Sequence, residues 1–121
     1  MTGEDFRELA LSLPGALEQA HMGHPDFRVK GKIFASLSAN EKTGVVKLTP
    51  EEQREFRRMQ ARVFAPASGA WGRQGWTTIQ LDGADTAAVR GALALAWQSV
   101  VARPPARRSA KPAVRRSVKG R

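Results

Sequence analysis

The stretch Gly69-Ala70-Trp71-Gly72-Arg73-Gln74-Gly75-Trp76 places three glycines, an arginine and two of the chain's three tryptophans side by side. Glycine loses more conformational freedom on folding than any other residue, so a glycine-rich run is costly to order. Indole rings are large and apolar, and they are normally held against other groups. The stretch therefore predicts a shaped feature, either a packed corner of the core or a recognition loop.

Helices are predicted on both sides of this stretch. Thr49 is placed to cap a helix whose first residue is Pro50, and Glu52 completes a capping box. Thr2 begins a similar helix at the N-terminus. A third helix opens near Asp85 and repeats apolar residues at helical spacing. These residues are Val89, Leu93, Trp97 and Val100.

Short strands fill the remainder of the first hundred residues. Three of them, 27–30, 33–37 and 45–48, are predicted between the first two helices. Two more, 63–67 and 76–81, flank the glycine-rich stretch. The order α-β(3)-α-β(2)-α predicts a two-layer α+β fold, with an antiparallel sheet covered by helices on one side.

Four segments together resemble the MmcQ/YjbR family over roughly residues 2–101. One is the stretch from Gly69 to Trp76, and the other three precede it in the family's order and spacing. They are Gly23-His24-Pro25-Asp26-Phe27-Arg28-Val29, Lys32-Ile33-Phe34-Ala35 and Lys47-Leu48-Thr49-Pro50-Glu51-Glu52-Gln53. The resemblance implies a secretion-chaperone-like α+β fold. Because the family is usually described as DNA-binding, it also implies nucleic-acid binding without catalysis.

The positive charge is concentrated at the C-terminal end. Residues 1–102 contain twelve Lys and Arg against eleven Asp and Glu, whereas residues 103–121 contain eight Lys and Arg and no acidic residue. Of the formal net charge of +9, the last segment therefore carries +8. We expect a nearly neutral domain over 1–102, followed by a disordered polybasic tail over 103–121.

The tail is predicted to bind nucleic acid largely independently of sequence, with DNA favoured over RNA. Cations that neutralise phosphates release counterions, which supplies affinity for any polyanion. A membrane is a weaker candidate, because the tail has no aromatic or long apolar residue to insert. A solubilising tail without a dedicated partner is the alternative. The cations of its internal repeat are Arg107, Arg108 and Lys111, followed by Arg115, Arg116 and Lys119.

Candidate nucleic-acid contacts within the domain fall into three groups. The first strand and the turn after it carry basic residues, and so does the outer face of the second helix. In the glycine-rich stretch, Arg73 is predicted to meet a phosphate while a tryptophan stacks on a base. These candidates are Arg28, Lys30, Lys32, Arg54, Arg58, Trp71 and Arg73.

Other interpretations of the same residues remain open. Pairing of Arg58 with Glu55 would make the second helix an ordinary solvated face, which the sequence favours. Trp76 begins a strand and is predicted to lie in the core, so Trp71 is the better candidate for exposure. A protein- or small-ligand-binding module is the alternative function. An apolar groove beside Trp71 would favour that module, and a continuous cationic face would favour DNA.

Enzymatic or metal chemistry is not expected. Glu18, His21, His24 and Asp26 form a poor metal site, and His24 is predicted to shape a turn. No catalytic residues, metal or cofactor are therefore predicted. The chain has no cysteine, no signal-peptide pattern and no apolar run of about 18 residues, which predicts a single cytoplasmic domain.

Overall fold

A computed structural model describes residues 1–21 and 23–102 of the chain. Within these residues there are six strands and four helices, so the predicted α+β class is confirmed. The elements are α1 (Gly3–Leu11), β1 (Leu17–His21), β2 (His24–Val29), β3 (Lys32–Leu37), β4 (Thr43–Lys47), α2 (Pro50–Met59), β5 (Phe64–Pro66), α3 (Gly69–Arg73), β6 (Trp76–Gln80) and α4 (Thr86–Val101). The strands form one antiparallel sheet in the order β1-β2-β3-β4-β6-β5. The predicted polybasic tail lies outside the described residues.

The element order contains one strand more than predicted, β1. Its sequence, Leu-Glu-Gln-Ala-His, has no β-branched or aromatic residue, so intrinsic strand propensity is weak. Tertiary contacts stabilise the strand conformation of β1 instead, because β1 pairs with β2 along its whole length. Arg7 of α1 also donates from Nε to Glu18 of β1 at 2.9 Å and from Nη2 to Glu41 at 3.2 Å.

The glycine-rich stretch also departs from the prediction, because it begins as the short helix α3 rather than as a loop. Gly72 makes this possible. A Cβ atom at Gly72 would lie 1.9 Å from the carbonyl oxygen of Ala67. Gly75 has φ +108°, and a Cβ there would lie 1.8 Å from the oxygen of Leu48. Both glycines therefore allow backbones to approach closely.

One face of the sheet is covered by α1, α2 and α4, as predicted. Phe6 of α1 meets Phe27 edge to face at 6.0 Å between ring centroids, and Phe56 of α2 meets Phe64 at 5.0 Å. Leu93 of α4 completes the same buried cluster. None of the helices in the described part of the chain has both the length and the apolar character needed to cross a membrane.

The capping signals give the two helix starts that they predict. Thr2 accepts from the backbone N–H of Asp5, whose carboxylate accepts from the backbone N–H of Thr2. Thr49 and Glu52 form the same reciprocal arrangement. Each box satisfies donors that the first turn of a helix leaves unpaired.

A buried amide attaches α2 to the end of β6. Gln53 Nε2 donates to the carbonyl oxygens of Gly72 and Trp76 and to Thr77 Oγ1, all within 3.1 Å.

We expect Gln53→Met to destabilise the protein by about 1–3 kcal/mol, because buried acceptors lose their donor. Urea unfolding measures the change. Gln80→Met, at an exposed strand position, is the control and should shift the midpoint little; equal shifts would contradict this role of Gln53.

Candidate functional site

The register of the sheet brings distant residues together on the face opposite the helices. Directly paired residues of an antiparallel sheet point to the same face. A row therefore runs across five strands, and its members are Asp26, Ser36, Val45, Thr78 and Ala65. Their chain neighbours Phe27, Ala35, Val46 and Thr77 are buried on the helix side. We call the surface containing this row the open face.

The open face carries a groove with a volume of about 410 Å³. That volume lies within the range of about 300–1,000 Å³ typical of small-ligand sites. Apolar and aromatic side chains form much of its surface, and four other lining residues have polar or charged side chains. The lining residues are His24, Asp26, Ile33, Ser36, Val45, Ala67, Ser68, Trp71 and Trp76.

Two indole rings form one wall of the groove. Trp71 is 62% exposed and meets Trp76 edge to face, with 5.4 Å between ring centroids. Lys47 Nζ lies 5.8 Å from the Trp76 ring centroid and donates to the oxygen of Gln74. The prediction of Trp76 in the core is wrong, because its pairing with Lys47 places it on the open face.

An ion pair lies beside the groove. Arg28 Nε and Nη2 donate to the two oxygens of Asp26 at 2.9 and 3.2 Å, and Asp26 is almost fully buried. These bonds favour the charged guanidinium and raise the pKa of Arg28. Arg28 therefore neutralises the Asp26 carboxylate. Its guanidinium was predicted to contact phosphate, but in the structure it is already occupied by Asp26.

Lys30 and Lys32 lie at the tip of the β2–β3 hairpin. Lys30 is in the turn with φ 53°, followed by Gly31 with φ 77°, so it lies beyond the end of β2 and not within the strand predicted over 27–30. A bulge after Phe27 further shifts the register. Both lysines are exposed and lie outside the groove lining.

The cations of α2 lie on the opposite side of the sheet from Arg28. Because Gln53 binds Thr77 on the helix-covered side, α2 lies on that side, and its Arg54 and Arg58 are exposed there. Arg58 forms an ion pair with Glu55, as the solvated-face interpretation predicts. Arg73 ends α3, exposed but outside the groove lining. The predicted domain cations therefore do not form one continuous face.

The histidine and carboxylate residues considered for metal binding are divided between the two faces. Glu18 pairs with Phe27 in the register and its carboxylate binds Arg7 on the helix side, whereas Asp26 faces the groove. Gly23, with φ +81°, lies in the predicted turn, but His24 is exposed in the groove lining. Among the described residues, no three His, Cys, Asp or Glu side chains are grouped to hold a metal.

Several groove residues were not among the sequence-based candidates. Ile33, Ser36, Val45 and Ser68 join Trp71 only through strand pairing and the position of α3. The available signal was apolar residues at outward strand positions, such as Ile33 at 37% exposure. Apolar strand residues that line the groove cannot be distinguished from those in the core without knowing which face of the sheet the helices cover.

The fold and the site define a two-layer α+β protein in which helices cover one face of the sheet and a groove lies on the other face. The sequence model of the YjbR family matches residues 11–99, and the chain belongs to this family. Among solved structures, the protein DR2400 of Deinococcus radiodurans, with the family-model domain DUF419, has a similar fold. It shares 23% identity with a TM-score of 0.71, over 83% of this chain and 78% of that chain. No curated protein matches the chain.

Proposed function

We propose that this protein binds nucleic acid without catalysing a reaction. The observation that carries this proposal is the separation of charge, with eight cations and no acid in residues 103–121. The described part of the chain ends directly after α4, so this segment continues from the folded domain. A polyanion contacting it would release counterions and bind in a salt-sensitive manner.

The open face is the side of the domain that best tolerates a nearby polyanion. In the groove lining, within the described part of the chain, Asp26 is the one acidic residue, and Arg28 neutralises it. Lys47 adds a positive charge beside Trp76. On the helix-covered side, the six acidic residues of α1 and α2 outnumber the five basic residues of α1, α2 and α4. Electrostatic repulsion would therefore be weaker at the open face.

Deletion of residues 103–121 tests the proposal. If about half of the eight cations contact phosphates, the logarithm of the association constant should fall with the logarithm of salt concentration at a slope of about −4 on duplex DNA. The deletion should remove most of that slope and weaken binding on the order of 100-fold at low salt. Fluorescence anisotropy with labelled DNA over a salt series measures both quantities.

Two full-length variants provide matched controls for the deletion. A version with the eight Lys and Arg of 103–121 replaced by Gln should behave like the deletion, and a scrambled segment of unchanged composition should behave like the original. An unchanged slope after deletion would contradict the contribution of the tail. Absence of binding by the original chain would contradict the proposed function itself.

A second candidate is a module that binds a protein segment or small ligand. The apolar groove beside Trp71 favours it, because concave apolar surfaces with a few polar groups are typical of such sites. Binding of this kind would depend on Trp71 and survive deletion of 103–121. Nucleic-acid binding through the tail would instead be lost on deletion of 103–121 and would not depend on Trp71.

A further inference from the structure

We propose that the groove on the open face holds an unpaired nucleobase stacked on Trp71, so that the preferred nucleic acid is single-stranded. This inference rests on the function proposed above and assigns a site to it. The groove would act on the base, and the segment 103–121 on the phosphates.

Trp71 offers a ring surface for stacking. Its side chain is 62% exposed, and its contact with Trp76 is edge to face rather than parallel. Trp76 is itself held by Lys47, whose Nζ lies 5.8 Å from its ring centroid. Aromatic side chains on an accessible surface bind the bases of single strands by stacking, whatever the base. The indole pair therefore forms a platform that is already positioned.

The groove also presents polar atoms to the edge of a ring. Ser36, His24 and Asp26 line it together with Ser68, whose side chain makes no capping hydrogen bond although it occupies the N-cap of α3. Hydroxyl and imidazole groups can donate or accept, which suits the mixed donors and acceptors of a base. A base within a duplex has this edge paired and both faces stacked. Entry to the groove therefore requires an unpaired base.

Charge complementarity favours a nucleotide strand over an apolar peptide as the occupant. Arg28 compensates Asp26, and Lys47 adds a positive charge at the groove wall. Residues 103–121 then add eight cations to the same chain. Phosphates on either side of an inserted base would be attracted to the cations of residues 103–121 and to the positive charge beside Trp76, whereas a neutral peptide would not be attracted to them.

The tryptophans make the inference directly measurable. The chain has three tryptophans and no tyrosine, and two of the tryptophans lie in the groove. The third, Trp97, belongs to α4 and donates from Nε1 to the oxygen of Pro14, away from the groove. In a full-length Trp97→Phe variant, indole fluorescence therefore reports only on the groove.

The test compares two oligomers of equal length and charge, one of thymidylate and one of abasic deoxyribose phosphates. Thymidylate should quench the fluorescence of the Trp97→Phe variant and bind about tenfold more tightly than the abasic oligomer. Trp71→Ala should abolish this difference while leaving abasic binding unchanged. Met59→Ala is the matched control, because Met59 is 60% exposed on the helix-covered side.

The possible failures are distinguishable. Equal affinity for the two oligomers, or a preference that survives Trp71→Ala, would overturn base insertion and leave the proposed function standing. If free thymidine quenches the fluorescence as strongly as the oligomer does, the groove is a small-molecule site and the single-strand assignment is overturned. If an apolar peptide quenches the fluorescence and neither oligomer does, the groove is a peptide site and the assignment is overturned as well. Failure to bind either oligomer or duplex DNA would reject both proposals.

Discussion

Gly72→Ala is expected to destabilise the protein by about 3 kcal/mol or more, although alanine is the better helix former. The added Cβ would lie 1.9 Å from the carbonyl oxygen of Ala67 and 3.0 Å from the Cβ of Pro66. Both neighbours belong to the segment entering α3, so neither can move as a flexible side chain would. Relief requires α3 to shift away from β5. Urea unfolding of the full-length chain measures the loss.

Gly91→Ala is the matched control, because Gly91 also lies within a helix. A Cβ there would meet only Phe56 Cζ, at 3.9 Å, which is ordinary van der Waals contact. We expect stabilisation by about 0.5–1 kcal/mol, because alanine loses less backbone entropy on forming a helix. The two substitutions should therefore have opposite signs. Destabilisation of similar size at both positions would contradict the close approach at Gly72.

Phe6→Ala has the second large expected effect, a loss of about 3–5 kcal/mol in the free energy of unfolding. Phe6 is fully buried, contacts the ring of Phe27, and fills the space above Gly44, where an added Cβ would lie 2.6 Å from the Phe6 ring. Its removal leaves a cavity where α1 meets the sheet. Calorimetric melting and urea titration should agree on the size of the loss.

Trp71→Ala provides the contrast, although tryptophan is the larger residue. With 62% of Trp71 exposed, we expect a stability change within about 0.5 kcal/mol. The same variant should lose the base-dependent binding described above, so stability and binding would be affected separately. A loss comparable to that of Phe6→Ala would instead show that the glycine-rich stretch is a packed corner.

Local signals predicted a large part of the fold. The capping boxes at Thr2 and Thr49 were recognisable because each involves residues only three apart, and both form as predicted. Alternating apolar residues identified five of the six strands for the same reason. β1 was missed because its residues have weak strand propensity, and pairing with β2 supplies its order.

The site was less predictable than the fold. The sequence identified Trp71 and Arg28 as candidate binding residues. It did not show that Arg28 pairs with Asp26 or that Trp76 lies on the open face and not in the core. The cations of α2 were grouped with Arg28, yet the sheet separates them. Each of these facts depends on which face of the sheet a residue occupies. A single-residue change of register would reverse that face.

The sequence by itself determined the α+β class, the helix starts and the concentration of positive charge in 103–121, because these follow from composition or from interactions between near neighbours. The resemblance of four of its segments also indicated the family. Only the tertiary structure decided that Asp26, Val45 and Trp76 line one groove. Strand pairing brings these residues together from separate parts of the chain, and the docking of α3 through Gly72 then sets Trp71 beside them. Such long-range packing has no signature in any short segment.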